Sequence, residues 1–128
     1  MNPSARAAYM DASVATASPA KLLVMLYERL TLDCYRALDA QRADNHQEAH
    51  RHLMHAQDIV MELRSSLKTD TWDGGPALAS LYDFLHTRLV QANVKRDAAV
   101  TEHCLGMVQD LAQAWREAAL QNVSAVGA

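Results

Sequence analysis

The sequence predicts an all-α protein: an antiparallel, up-down four-helix bundle preceded by a mobile N-terminal arm. Three observations predict it. Apolar residues recur at steps of three and four through four separate segments, the period of a helix with one buried stripe. The four Gly and three Pro in 128 residues fall mostly between those segments, whereas the turns of a sheet would recur about every 8–12 positions. The breaks between segments are short, which makes sequential helices antiparallel neighbours.

Residues 1–17 are Ala-rich and weakly patterned, with Tyr9, Met10 and Val14 their sizeable apolar side chains. They read as an arm that either docks through those three or stays disordered. Ser18 stands where an N-cap belongs, its hydroxyl able to accept a free backbone N–H of the first turn. Pro19 loses nothing there by lacking its own N–H. The first helix, about 18–41, carries Leu23, Leu26, Tyr27, Leu30, Cys34 and Leu38 on one stripe. Residues 43–45 turn the chain, and Asn45 with Glu48 has capping-box spacing. The second helix, about 45–68, presents Ala49, Leu53, Ala56, Val60, Leu63 and Leu67. Gly74 and Gly75 form a loop, and Pro76 opens a third helix, about 76–94, with Leu78, Leu81, Leu85, Leu89 and Ala92. Residues 93–96 turn, and Asp97 is placed to cap a fourth helix, about 97–121, striped by Cys104, Val108, Leu111, Trp115 and Ala118. Residues 122–128 are expected to be a disordered tail. Each helix is then ~30–37 Å long at 1.5 Å per residue.

Composition removes several function classes. The net charge of −3 and the lack of a Lys/Arg block disfavour nucleic acid. The longest apolar run, Leu22 to Tyr27, falls far short of the ~20 residues of a membrane span. Arg6 precedes no apolar stretch with a small-residue cleavage site, so secretion is not signalled. Cys34 and Cys104 lack paired or metal-ligand spacing and read as small core residues of a cytoplasmic protein.

Catalytic and metal-binding readings fail on their own residues. A di-iron bundle needs inward Glu-x-x-His pairs, and the chain has only Glu48-Ala49-His50 and Glu102-His103. His46, His50, His52 and His55 cluster on the second helix. His46 and His50, one turn apart, are spaced to share a metal, but no carboxylate converges on them, and a solvated face is the expectation. Phosphotransfer from His50 or His52 lacks the Lys and Gly that usually follow such a histidine. No nucleophile elbow or phosphate-cradling glycine loop is present. The expectation is a non-enzyme without cofactor.

The apolar side chains exceed what one seam per helix consumes. Leu22, Met25 and Leu32 fall toward the flank of the first helix, Met54, Ile59 and Met61 add to the second, and Phe84 and Val90 to the third. Such a surplus marks a partner surface, and methionines repack readily around a helical ligand. The reading is a groove for an amphipathic segment, either a partner's or the chain's own arm. A self-associating bundle, a weak homodimer rather than a monomer, is the alternative.

Several spaced motifs resemble the flagellar secretion chaperone family FliS. They are Val14 with Thr16-Ala17-Ser18-Pro19, Leu22 and Met25-Leu26-Tyr27; then Gly74-Gly75, Leu78, Leu81-Tyr82-Asp83, Arg88-Leu89, Ala92-Asn93 and Asp97; and finally Leu111 with Ala114-Trp115. Ala77 stands where that family often has Asn. The resemblance implies a cytoplasmic chaperone that binds the disordered C-terminal segment of flagellin, keeps it unpolymerised and helps deliver it to the export apparatus, with the export gate a further partner. It makes Tyr9, with Met10 and Val14, a regulatory arm. Leu22, Met25, Ile59, Met61, Tyr82, Leu85, Leu89 and Asn93 are then the expected partner contacts. Tyr27 and Tyr82 fit either core or groove. Asn93 and Asp97 fit turn and cap roles or contact with a partner's backbone.

Overall fold

The computed structural model describes residues 19–68 and 73–127. The expected arm with Tyr9, Met10 and Val14, and the expected cap Ser18, lie outside the described residues. Four helices account for nearly all of what is described: α1 (Pro19–Arg42), α2 (His46–Ser66), α3 (Gly75–Val94) and α4 (Ala98–Gly127). Both α1 and α3 pack against α2 and α4, so the helices form a closed square with α1 and α3 on one diagonal. This is the antiparallel four-helix bundle that the stripes predict.

Two turns of the same design reverse the chain. Asp44 and Arg96 adopt left-handed φ of 55° and 51°, and the next residue's N–H returns to a carbonyl of the preceding helix. Asn45 N donates to Ala40 O at 2.8 Å, and Asp97 N to Ala92 O at 3.0 Å. That bond satisfies an orphan carbonyl at the helix end. Each turn then feeds an N-cap. Asn45 Oδ1 accepts from Glu48 N at 3.3 Å, and Asp97 Oδ1 accepts from the N–H groups of Ala99 and Val100 at 3.0 and 3.3 Å. Only half of the expected capping box forms. The Asn45 N–H is taken by Ala40, and the Glu48 carboxylate turns instead to Arg51 and His52.

Two boundaries differ from expectation. α2 stops at Ser66, because Leu67 turns to extended backbone with its N–H on Arg64 O. α4 continues to Gly127, past the expected end at Gln121 and through the residues read as a disordered tail. Ala118 to Val126 contain no Pro or Gly to halt a helix, and the helix runs to Gly127.

The core is filled by the predicted stripes: Leu30, Cys34, Leu53, Ala56, Leu85, Leu89, Cys104 and Val108 are all fully buried. Two phenols meet across the α1–α3 diagonal, where the hydroxyls of Tyr27 and Tyr82 share a hydrogen bond. Trp115 of α4 packs its ring against Tyr27, centroids 6.5 Å apart. Burial raises the pKa of both phenols, so they are neutral over the physiological range.

Candidate partner-binding site

Residues of α2 and α3 line an open cleft of about 410 Å³. Val60 and Tyr82 are buried beneath it, and Met61, 58 % exposed, stands on its rim. The helical period puts them there: Val60 belongs to the buried stripe of α2, and Met61 is the next residue round toward α3. Arg64 lies one turn beyond Met61, and its Nε donates to Asp83 Oδ1 of α3 at 3.1 Å across the cleft. Both partners are largely exposed, so the bridge contributes about 0–1 kcal/mol and opens easily. His86 and Thr87 complete the α3 wall, with the Thr87 hydroxyl satisfied by its own helix at Asp83 O. An apolar floor, a flexible thioether and a polar rim suit an amphipathic segment laid along two helices. The two aliphatic hydroxyls of the lining, Ser65 and Thr87, each donate to a carbonyl of their own helix, Glu62 O and Asp83 O.

The apolar surplus continues elsewhere. Leu32, Tyr35, Met54, Phe84 and Val94 are exposed. Leu22, Leu23, Val24, Met25 and Leu26 are consecutively half-buried before Tyr27 enters the core. The first turns of α1 therefore carry apolar groups that the described bundle leaves partly open.

A sequence model of the family described as flagellar protein FliS matches residues 1–122. The chain belongs to the FliS family. Among its relatives, the flagellar secretion chaperone FliS of Bacillus subtilis is 33 % identical over 111 residues, spanning 87 % of this chain and 83 % of the relative. The protein of the same name from Escherichia coli is 29 % identical over 113 residues, 87 % and 83 % of the two chains. A crystal structure of a flagellar chaperone from bacteria superposes with a TM-score of 0.73 at 26 % identity, covering 93 % of this chain and 97 % of that one.

On this FliS-family bundle the expected contacts separate. Met61 and Tyr82 line the cleft, one on the rim and one beneath it. Leu22 and Met25 sit half-buried on α1, outside the cleft. Ile59 is buried on α2, and Leu85 and Leu89 are 0 % exposed in the core. These three hold the bundle together and offer a partner no surface while it stays closed. Asn93 lies at the far end, its side chain hydrogen-bonded to His50. Pro19 is the first residue of α1. Val60, Arg64, Asp83, His86 and Thr87 were not legible as cleft residues. The polar ones read as solvated, and the available signal was the turn of spacing between Met61 and Arg64.

The histidines do not form one face. His52 is only 5 % exposed, so for it the expectation of a solvated face is wrong. Its Nε2 lies 3.2 Å from the Glu48 carboxylate and its Nδ1 3.9 Å from Asp33 of α1. His55 Nδ1 bonds the other Asp33 oxygen, and Arg29 approaches the same carboxylate at 3.3 Å. Asp33 is completely buried; a charge there requires partners, and the basic groups of α1 and α2 supply them. Arg51, through its hydrogen bond, holds the Glu48 carboxyl below its ordinary range, aided by the charge of His52. His46 instead faces Asp44 at 3.9 Å. His52 and His55 thus share Asp33, while His46 and His50 turn to Asp44 and Asn93, and no group of three or more His, Cys, Asp or Glu among the described residues is arranged to hold a metal.

Proposed function

We propose that this chain is a cytoplasmic, non-enzymatic export chaperone that binds the disordered C-terminal segment of flagellin, prevents its premature polymerisation and assists its delivery to the flagellar export apparatus. The observation that carries the reading is the open α2–α3 cleft, with Met61 on its rim and the Val60–Tyr82 floor beneath. A disordered segment loses conformational entropy on binding, so its partner must bury a long apolar surface to compensate. The cleft, the half-buried start of α1 and the exposed Met54 and Phe84 supply that kind of surface. Family membership supports the chaperone class, and the relatives' name supports a flagellar secretion client. No helix among the described residues is long and apolar enough to cross a membrane, which fits a client met before export.

Co-expression with the same organism's flagellin tests it. The expected result is a soluble 1:1 complex that disappears when flagellin's C-terminal segment is removed. Flagellin that stays free, or a complex indifferent to the truncation, overturns the assignment.

A further inference from the structure

A second depression, of about 470 Å³, opens at the end of the bundle where the two turns meet. Its lining mixes the polar Gln41, His46, Gln47, His50, Asn93 and Arg96 with Ala49 and Val94. Gln41 is its fixed point. The residue is 6 % exposed, and its Nε2 donates to the Ala92 carbonyl at 3.1 Å, tying the first turn to the second. That bond locks the amide, and Oε1 is left buried with no hydrogen-bond partner among the described residues. His46 Nδ1 is in the same condition. Polar atoms taken out of water without a partner are rare in folded proteins and call for a ligand or a bound water.

The chemistry of the lining selects the ligand. The Gln41 carbonyl asks for an N–H donor and repels an anion. None of the lining residues is acidic, so a cation finds no countercharge. Gln47 and Arg96 offer donors to a carbonyl oxygen. A group carrying both an N–H and a C=O satisfies this set, and a peptide main chain is such a group. The notch also shares its walls with the cleft. His50 and Met61 are eleven residues apart on α2, three helical turns, and His86 and Asn93 are seven apart on α3, two turns. Cleft and notch therefore lie on one face of the same helix pair, ~10–16 Å apart, about three to five residues of extended chain.

We propose that the notch anchors the main chain of the segment bound in the α2–α3 cleft, with Gln41 Oε1 accepting one of its peptide N–H groups. This rests on the proposed function and adds a recognition element independent of the client's side chains.

The test is an amide-to-ester scan of the isolated flagellin C-terminal segment, titrated into the full chain and into Gln41→Met, which keeps the side-chain volume. One ester position is expected to weaken binding to the unaltered protein about three- to tenfold, the worth of one hydrogen bond. Gln41→Met should weaken the unmodified segment similarly and be blind to that ester, whereas Met61→Ala should weaken binding and keep the ester effect. In the unaltered protein, the Gln41 side-chain amide signals should shift in ¹⁵N–¹H spectra on adding the segment, a readout that needs no variant. Unmoved Gln41 signals, or an ester profile identical in both proteins, overturns the anchor while leaving the chaperone reading standing. A chain that ignores the segment altogether removes both.

Discussion

Removing both hydroxyls of the Tyr27–Tyr82 pair should cost the bundle less than the sum of removing each alone. The two hydroxyls bond each other at 0 % and 2 % exposure. Tyr27→Phe strands the Tyr82 hydroxyl and Tyr82→Phe strands the Tyr27 hydroxyl, each at a cost of about 1–3 kcal/mol. Tyr27→Phe/Tyr82→Phe removes the stranded hydroxyl, so it should cost no more than Tyr27→Phe alone. The coupling energy is then about 1 kcal/mol. For a 128-residue chain, an unfolding entropy of about 2.1 cal/mol/K per residue gives ~0.27 kcal/mol/K, so each kcal/mol lowers Tm by about 4 °C. Urea unfolding followed by far-UV circular dichroism gives the four free energies of the cycle. Costs that add within about 0.5 kcal/mol would show that the hydroxyls act independently and refute the diagonal bond as a stabilising element.

Three further outcomes are expected. Gly106 sits mid-helix in α4 with nothing within 4 Å of an added Cβ, so Gly106→Ala should raise stability by about 0.5–1 kcal/mol; a loss in thermal unfolding would contradict that open space. Asp97→Ala removes the acceptor for the Ala99 and Val100 N–H groups and should cost about 1 kcal/mol, read as a Tm drop of about 4 °C with flagellin binding retained. The buried thiols make the fold alkali-sensitive. Burial, chiefly, pushes Cys104 from its ordinary 9.0 up to about 11, and also raises Cys34, which Cys104 and Asp33 raise further. A raised thiol pKa favours the folded state fully below about pH 9 and loses that contribution as pH climbs through about 11. Cys34→Ala/Cys104→Ala should shallow that decline in urea titrations across the window, and an unchanged slope would exclude the thiols.

The helical stripes were legible because burial imposes a period that side chains cannot hide. Leu30, Leu53, Leu89 and Val108 all reach the core from positions read by spacing alone. The site was less legible, because spacing says which residues are apolar and not which stay uncovered. Leu85 and Leu89 are as apolar as Met61, yet the closed square of helices buries them and leaves Met61 on a rim. The histidines show the same limit. His52 reads as solvated until the register of α2 against α1 brings it to Asp33, a contact between residues 19 positions apart. Gln41 gave no signal at all, since its role depends on the two turns meeting in space.

Calorimetric titration of the purified chain with flagellin's isolated C-terminal segment, over a range of temperatures, bears most directly on the central claim. Burial of a long apolar surface predicts 1:1 binding with a negative heat-capacity change, and Met61→Glu, a charge set on the cleft rim, should weaken that binding at least about tenfold while the helical spectrum is unchanged. No heat of binding, or equal affinity for the wild-type and Met61→Glu proteins, would contradict a client held in the α2–α3 cleft.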